Sequence, residues 1–166
     1  MWNFFAWLES TGFFTWVRES DSLLAYPLIL FLHTVGLGFV AGINAAIDLR
    51  ILGIAARMPL APMEEFFPLM WAGFWLNAVS GTLLLLADAT TKLANPVFYI
   101  KMGFITLAVI NIFLLKKHVF RDPLLDKRPV SMNGRVLALT SLTFWIGSIT
   151  AGRLMAYLGP VSGLTK

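Results

Sequence analysis

At 166 residues, 58% of them hydrophobic and only 13% charged, the chain has about half the charge fraction of a soluble domain and enough length for one domain. Its mean hydropathy is +0.76. Cysteine is absent, which excludes disulfides, thiolate metal sites and cysteine nucleophiles. A net charge of +4 does not here point to nucleic acid, because the basic residues gather in one loop beside apolar segments, as membrane topology requires.

Residues 1–22 form the first element, a segment rich in aromatics: Trp2, Phe4, Phe5, Trp7, Phe13, Phe14 and Trp16 surround few charges. It lacks the basic start and small-residue cleavage site of a signal peptide. Aromatics at this density suit an amphipathic helix lying among lipid headgroups. Such an element anchors the chain to the outer face or docks a partner subunit, and the sequence leaves both open.

Residues 23–166 read as an all-α, four-transmembrane-helix bundle. A helical span takes about 20 apolar residues, and four segments qualify: 23–52, 66–88, 96–115 and 136–158. The loop between the third and fourth carries Lys116, Lys117, Arg121, Lys127, Arg128 and Arg135, and Arg50 and Arg57 lie on the same face. The opposite face collects Arg18, Lys92, Lys101, Arg153 and Lys166. Eight against five places the basic loops in the cytoplasm and both termini outside. Arg121–Gly134 is polar, contains Asp122-Pro123 and Arg128-Pro129, and is therefore a loop.

An ionisable side chain within a span marks a function or a specific buried partner, so His33 is the leading residue of the first span. At about 100° per residue, Tyr26, His33, Val40 and Asn44 share one face, with Asp48 at its edge. Polar groups avoid lipid, so this stripe is expected to face the bundle interior. Gly36 borders it and leaves either a close helix crossing or room for a flat ligand, whereas Gly38 and Gly42 make a GxxxG step. Asn77, Gly81 and Asp88 form a stripe on the second span, and Thr143, Gly147, Thr150 and Arg153 one on the fourth. Asp88 is expected to pair with Lys101 or Arg153, unless those two cations await an anion such as the propionates of a haem.

His33 and His118 are the only histidines. Helical rise puts them some 22 Å apart in depth, too far to share one iron, whose axial ligands sit about 4 Å apart. Met102 lies within roughly 1 Å of the depth of His33 on the same count and offers a His/Met pair. The alternative is a buried His33 hydrogen-bonded to Ser80 or Asn77, with no metal.

The stretch WLESTGFFTWVRESDSLLAYPLILFLHTVGLGFVAGINAAIDLRILG, followed by SGTLLLLADATTKLANPVFYIKM, resembles an uncharacterised family of bacterial four-helix inner-membrane proteins. The spaced YP…H…DLR combination of the first span carries most of the resemblance. More distantly the arrangement is similar to the membrane domain of copper-resistance D proteins and to small haem-bearing cytochrome subunits. The resemblance implies the fold and the inner-membrane location, without fixing an activity.

Two functions follow as expectations. In the first, a b-type cytochrome-like subunit passes electrons between the quinone pool and a partner. His33 would hold the iron of haem b, opposite Met102 or an open position. Lys101 and Arg153 would meet the propionates, Gly36 would admit the ring, and Tyr26 would line the site. In the second, a non-redox accessory subunit or proton- or metal-transporter-like module uses Tyr26, His33, Asn44, Asp48 and Asp88 as an internal polar network. The chain would act as a homo-oligomer or as a subunit of a larger membrane complex. Covalent chemistry of its own is disfavoured, since GxSxG and multi-His motifs are missing.

Overall fold

The computed structural model describes residues 2–158; Lys166, counted above on the outer face, lies outside them. Among the described residues there are seven α-helices and no strand: α1 Trp2–Glu9, α2 Gly12–Glu19, α3 Tyr26–Ile51, α4 Phe67–Leu86, α5 Ala89–Ala94, α6 Pro96–Leu115 and α7 Met132–Tyr157. Three stretches, Tyr26–Ile51, Ala61–Leu86 and Pro96–Phe120, are long and apolar enough to cross a membrane. The last two include a 3₁₀ turn at Ala61–Phe66 and a single π turn at Lys116–Phe120. α7 equals α3 in length but carries more Ser, Thr and Arg.

Local chemistry sets the ends of these helices. Prolines in the first turn open α3, α4 and α6, where a missing N–H is harmless. The Asn95 side chain accepts from Val97 N at 2.9 Å, and Ser131 from Gly134 N at 3.3 Å, so α6 and α7 each have a capped start. α3 stops at Gly53, whose φ of +104° turns the chain away. Ile54 N donates to Leu49 O at 2.9 Å and Gly53 N to Arg50 O at 3.1 Å, closing the last carbonyls.

α3 packs most extensively on α4, and α6 on α7, while the contact of α3 with α7 joins the two pairs. The main core lies toward the basic-loop end. There Ile47, Ile51, Met70, Ile112, Leu115 and Trp145 bury one another. A smaller core of Val17, Ile29, Leu84 and Ala87 sits at the opposite end, under α2. Phe31, Trp75, Val79, Phe113 and Ile146 stay exposed on the outer faces of the helices, as side chains facing lipid would.

The aromatic segment is two short helices instead of one. The chain breaks at Ser10 and Thr11, whose hydroxyls donate to the Trp7 and Leu8 carbonyls at 2.7 Å and end α1. The pair is latched onto the α4–α5 corner. Glu9 accepts from Thr90 N at 2.5 Å and from the Thr90 hydroxyl at 3.0 Å, and Arg18 donates to Ala87 O at 3.4 Å. Lys92 folds back to donate to Leu84 O. Burial holds the Lys92 ammonium below the usual lysine range, against the opposing pull of nearby Asp88. At the other end, Asp126 accepts from Leu60 N at 2.7 Å and Ala61 N at 2.8 Å, which ties the α6–α7 loop to the turn before α4.

Candidate functional site

The polar side chains inside the helices form two separate groups, both built on α3. The first joins α3 to α4. His33 Nδ1–H donates to the Asn77 carbonyl at 3.0 Å and lies 3.3 Å from the Ser80 hydroxyl oxygen. In return Asn77 Nδ2 donates to the His33 carbonyl at 2.7 Å and lies 3.5 Å from His33 Nε2. Ser80 donates to Leu76 O at 2.6 Å. Each of the two long side chains thus clasps the other residue's backbone.

Glycines make that clasp possible. A methyl group at Gly36 would lie 2.6 Å from Asn77 N and 2.8 Å from Gly73 O. One at Gly73 would lie 2.5 Å from Phe39 Cβ, and one at Gly81 would lie 2.8 Å from His33 Cε1. The helices therefore cross almost backbone to backbone. By contrast, Gly38 and Gly42 have open space where a methyl group would go, and they face outward beside Thr34 and Ile149.

The second group joins α3 to α7, three to four turns further along. Asn44 Nδ2 donates to Asp48 Oδ2 at 2.7 Å and to the Ser141 hydroxyl oxygen at 2.5 Å. Asp48 and Ser141 have no exposed surface, and Asn44 retains 2%. Beside them Asn111 of α6 donates to the Thr140 hydroxyl at 2.8 Å. Three buried polar atoms in this region have no partner among the described residues: Asp48 Oδ1, Asn111 Oδ1 and Trp145 Nε1. Between the two groups on α3, Val40 is buried in the main apolar core, to which Met70 of α4 also belongs.

The residues proposed for haem are not all inside the bundle. Met102 is 43% exposed and Tyr26 39%, both on outer faces. The space beside Gly36 is filled by the backbone of α4. The alkyl chain of Lys101 lies along Gly152 of α7, at 3.7–3.8 Å from where a methyl group would sit, and Arg153 is exposed. Among the described residues no group of three His, Asp or Glu side chains is placed to hold a metal. Since α4 holds one ring nitrogen of His33 and crowds the other, and fills the slot at Gly36, these residues do not fit a haem.

Other expectations resolve similarly. The α3 stripe faces inward from Val40 onward, through Asn44 and Asp48, while Tyr26 and Leu30 at its start are exposed. Asp88 makes no ion pair among the described residues. His118 sits in the π turn, exposed, with Nδ1–H donating to Leu114 O at 2.9 Å. On α7, Thr143 is exposed and bonds its own helix at Leu139 O, 2.9 Å away, and Gly147 receives the ring of Phe104. The inward face of α7 is instead Ala138, Ser141, Trp145 and Ser148, at the 3- and 4-residue steps of a helix face. Sequence reading missed that face and Asn111, although the spacing of Ser141, Trp145 and Ser148 carried the signal. No family model matches the chain, and neither does any curated protein or solved structure.

Proposed function

We propose that this protein is a four-helix inner-membrane module of non-redox type that conducts protons along the interior face of α3. α7 is its fourth span, since 26 residues of helix reach about 39 Å. Both termini then lie on the periplasmic side and the basic loop in the cytoplasm. The α1–α2 pair lies in the outer headgroup layer, with its exposed Trp and Phe side chains in the lipid boundary. The family resemblance of the first span supports the same architecture and membrane.

One observation carries the transport reading. The buried polar groups of α3 fall into two clusters in opposite halves of the helix, with an apolar layer at Val40 and Met70 between them. Bundles held only by packing have no need of such polar groups, and each is costly to bury unless it is paired or used. Two half-depth polar clusters across a dry layer form an interrupted path, which opens when the helices move.

The test is proton flux in liposomes loaded with a pH-sensitive dye, under an imposed potential. Flux above that of protein-free liposomes supports the reading. Flux indistinguishable from the blank overturns it. A Soret band in the purified protein would restore the cytochrome alternative.

A further inference from the structure

We propose that Asp48, held by Asn44 and Ser141, is a proton-binding site within the bundle, and that its Oδ1 is the atom that takes the proton. This deepens the transport reading and rests on it. Asp48 has no exposed surface, and its Oδ2 is occupied by the Asn44 amide while its Oδ1 is bare. A carboxylate buried in this way must be matched by a cation or by a proton.

Among the described residues, no cation of the surrounding helices pairs with Asp48. α4 contains no charged or histidine side chain between Phe67 and Leu86. On α7 the basic residues are Arg135, which is exposed, and Arg153, near the opposite end. The only charged residue of α6 is Lys101, also at the opposite end, against Gly152. Beyond α6, Lys116 faces Glu64 at 3.7 Å and the ring of Phe67. On α3 itself Arg50 turns to the Met58 carbonyl and to Asp126, and His33 is engaged by α4 some four turns away. None of these groups makes an ion pair with Asp48.

The donor set also selects a proton over a metal ion. Asn44 presents its NH₂ group to both the carboxylate and Ser141, so hydrogen-bond donors occupy the directions in which a metal would need oxygen ligands. Binding converts the carboxylate to a carboxylic acid, with one O–H bond formed at Oδ1 and no other bond changed. The new O–H supplies a donor to a layer that also holds the bare acceptor Asn111 Oδ1.

Infrared difference spectroscopy of the full-length protein in lipid, titrated across pH, tests the site. A carboxylic C=O band that shifts in D₂O, disappears in Asp48→Asn and moves in Ser141→Ala is the expected result. A band unchanged in both variants, or no titrating carboxyl band at all, overturns it. If Asp48→Asn does not fold, Ser141→Ala alone still decides, because only a band from this site would move. In the liposome assay, Asp48→Asn should reduce flux to the protein-free rate; full flux in that variant overturns the site's part in transport. A titrating Asp48 band in a protein without flux supports the site and overturns only the transport reading.

Discussion

The two polar groups on α3 differ in how completely they are satisfied. At the His33 end, the imidazole and the Asn77 amide each find a backbone carbonyl across the crossing, and three glycines bring the backbones close enough for them to do so. At the Asp48 end, the packing is denser and the burial deeper, yet three polar atoms lack partners. Native structures rarely leave buried polar atoms unpaired. The conspicuous histidine fastens two helices with its hydrogen bonds met, and the less conspicuous aspartate keeps one oxygen without a partner.

The largest expected effect tests the fastener's foundation. Gly36→Ala pushes a methyl group into the α4 backbone, which cannot yield as a side chain would, and should destabilise the protein by about 3 kcal/mol. Gly38→Ala and Gly42→Ala meet open space and should be neutral or stabilising by up to about 1 kcal/mol through helix propensity. Unfolding in detergent measures both. Equal effects at positions 36 and 38 would break the distinction between the two faces of α3.

A smaller effect separates the two groups directly. A double-mutant cycle of His33→Ala and Asn77→Ala should give a coupling of about 1 kcal/mol, toward the upper range for interhelical hydrogen bonds in membranes. Trp145→Phe, which deletes an unpaired donor in the other group, should leave stability unchanged or raise it by about 1 kcal/mol. Loss of stability in Trp145→Phe equal to that in His33→Ala would show that both groups are merely structural.

The smallest effect lies in the basic loop, remote from both. Arg128 donates to Asp122 Oδ2 at 2.6 Å and Leu124 N to Asp122 Oδ1 at 2.9 Å, and together they hold the Asp122 carboxyl below the usual carboxylate range. The folded loop therefore gains from this carboxylate above the ordinary carboxylate range, and the gain is lost as pH falls through the depressed value. Amide exchange at Leu124 should quicken over that acidic window in the wild type. In Arg128→Ala the window should move toward the ordinary carboxylate range, with proton flux untouched.

Much of the outline was legible in the residues. Pro27, Pro68 and Pro96 mark helix starts, and the apolar runs mark the stretches long enough to cross a membrane. The Asn44–Asp48 face was also readable, because two polar residues four apart must share a side of a helix. The inward face of α7 was harder. In lipid both sides of a helix are apolar, so hydrophobic periodicity fades and exposed Thr143 competes with buried Ser141 on equal terms.

Length, apolar runs and charge asymmetry by themselves determined that this is a helical chain with stretches able to cross a membrane, since those depend on the cost of burying each residue type in hydrocarbon. Which helix touches which was decided only in three dimensions. Gly36 reads alike as a slot for a ligand or a crossing for a helix until Asn77 is seen to fill it. Whether His33 or Asn44 finds its partner depends on residues 44 and 97 positions away along the chain, and no local pattern encodes them. A buried polar group's fate is set by what faces it, and only the packed helices supply that.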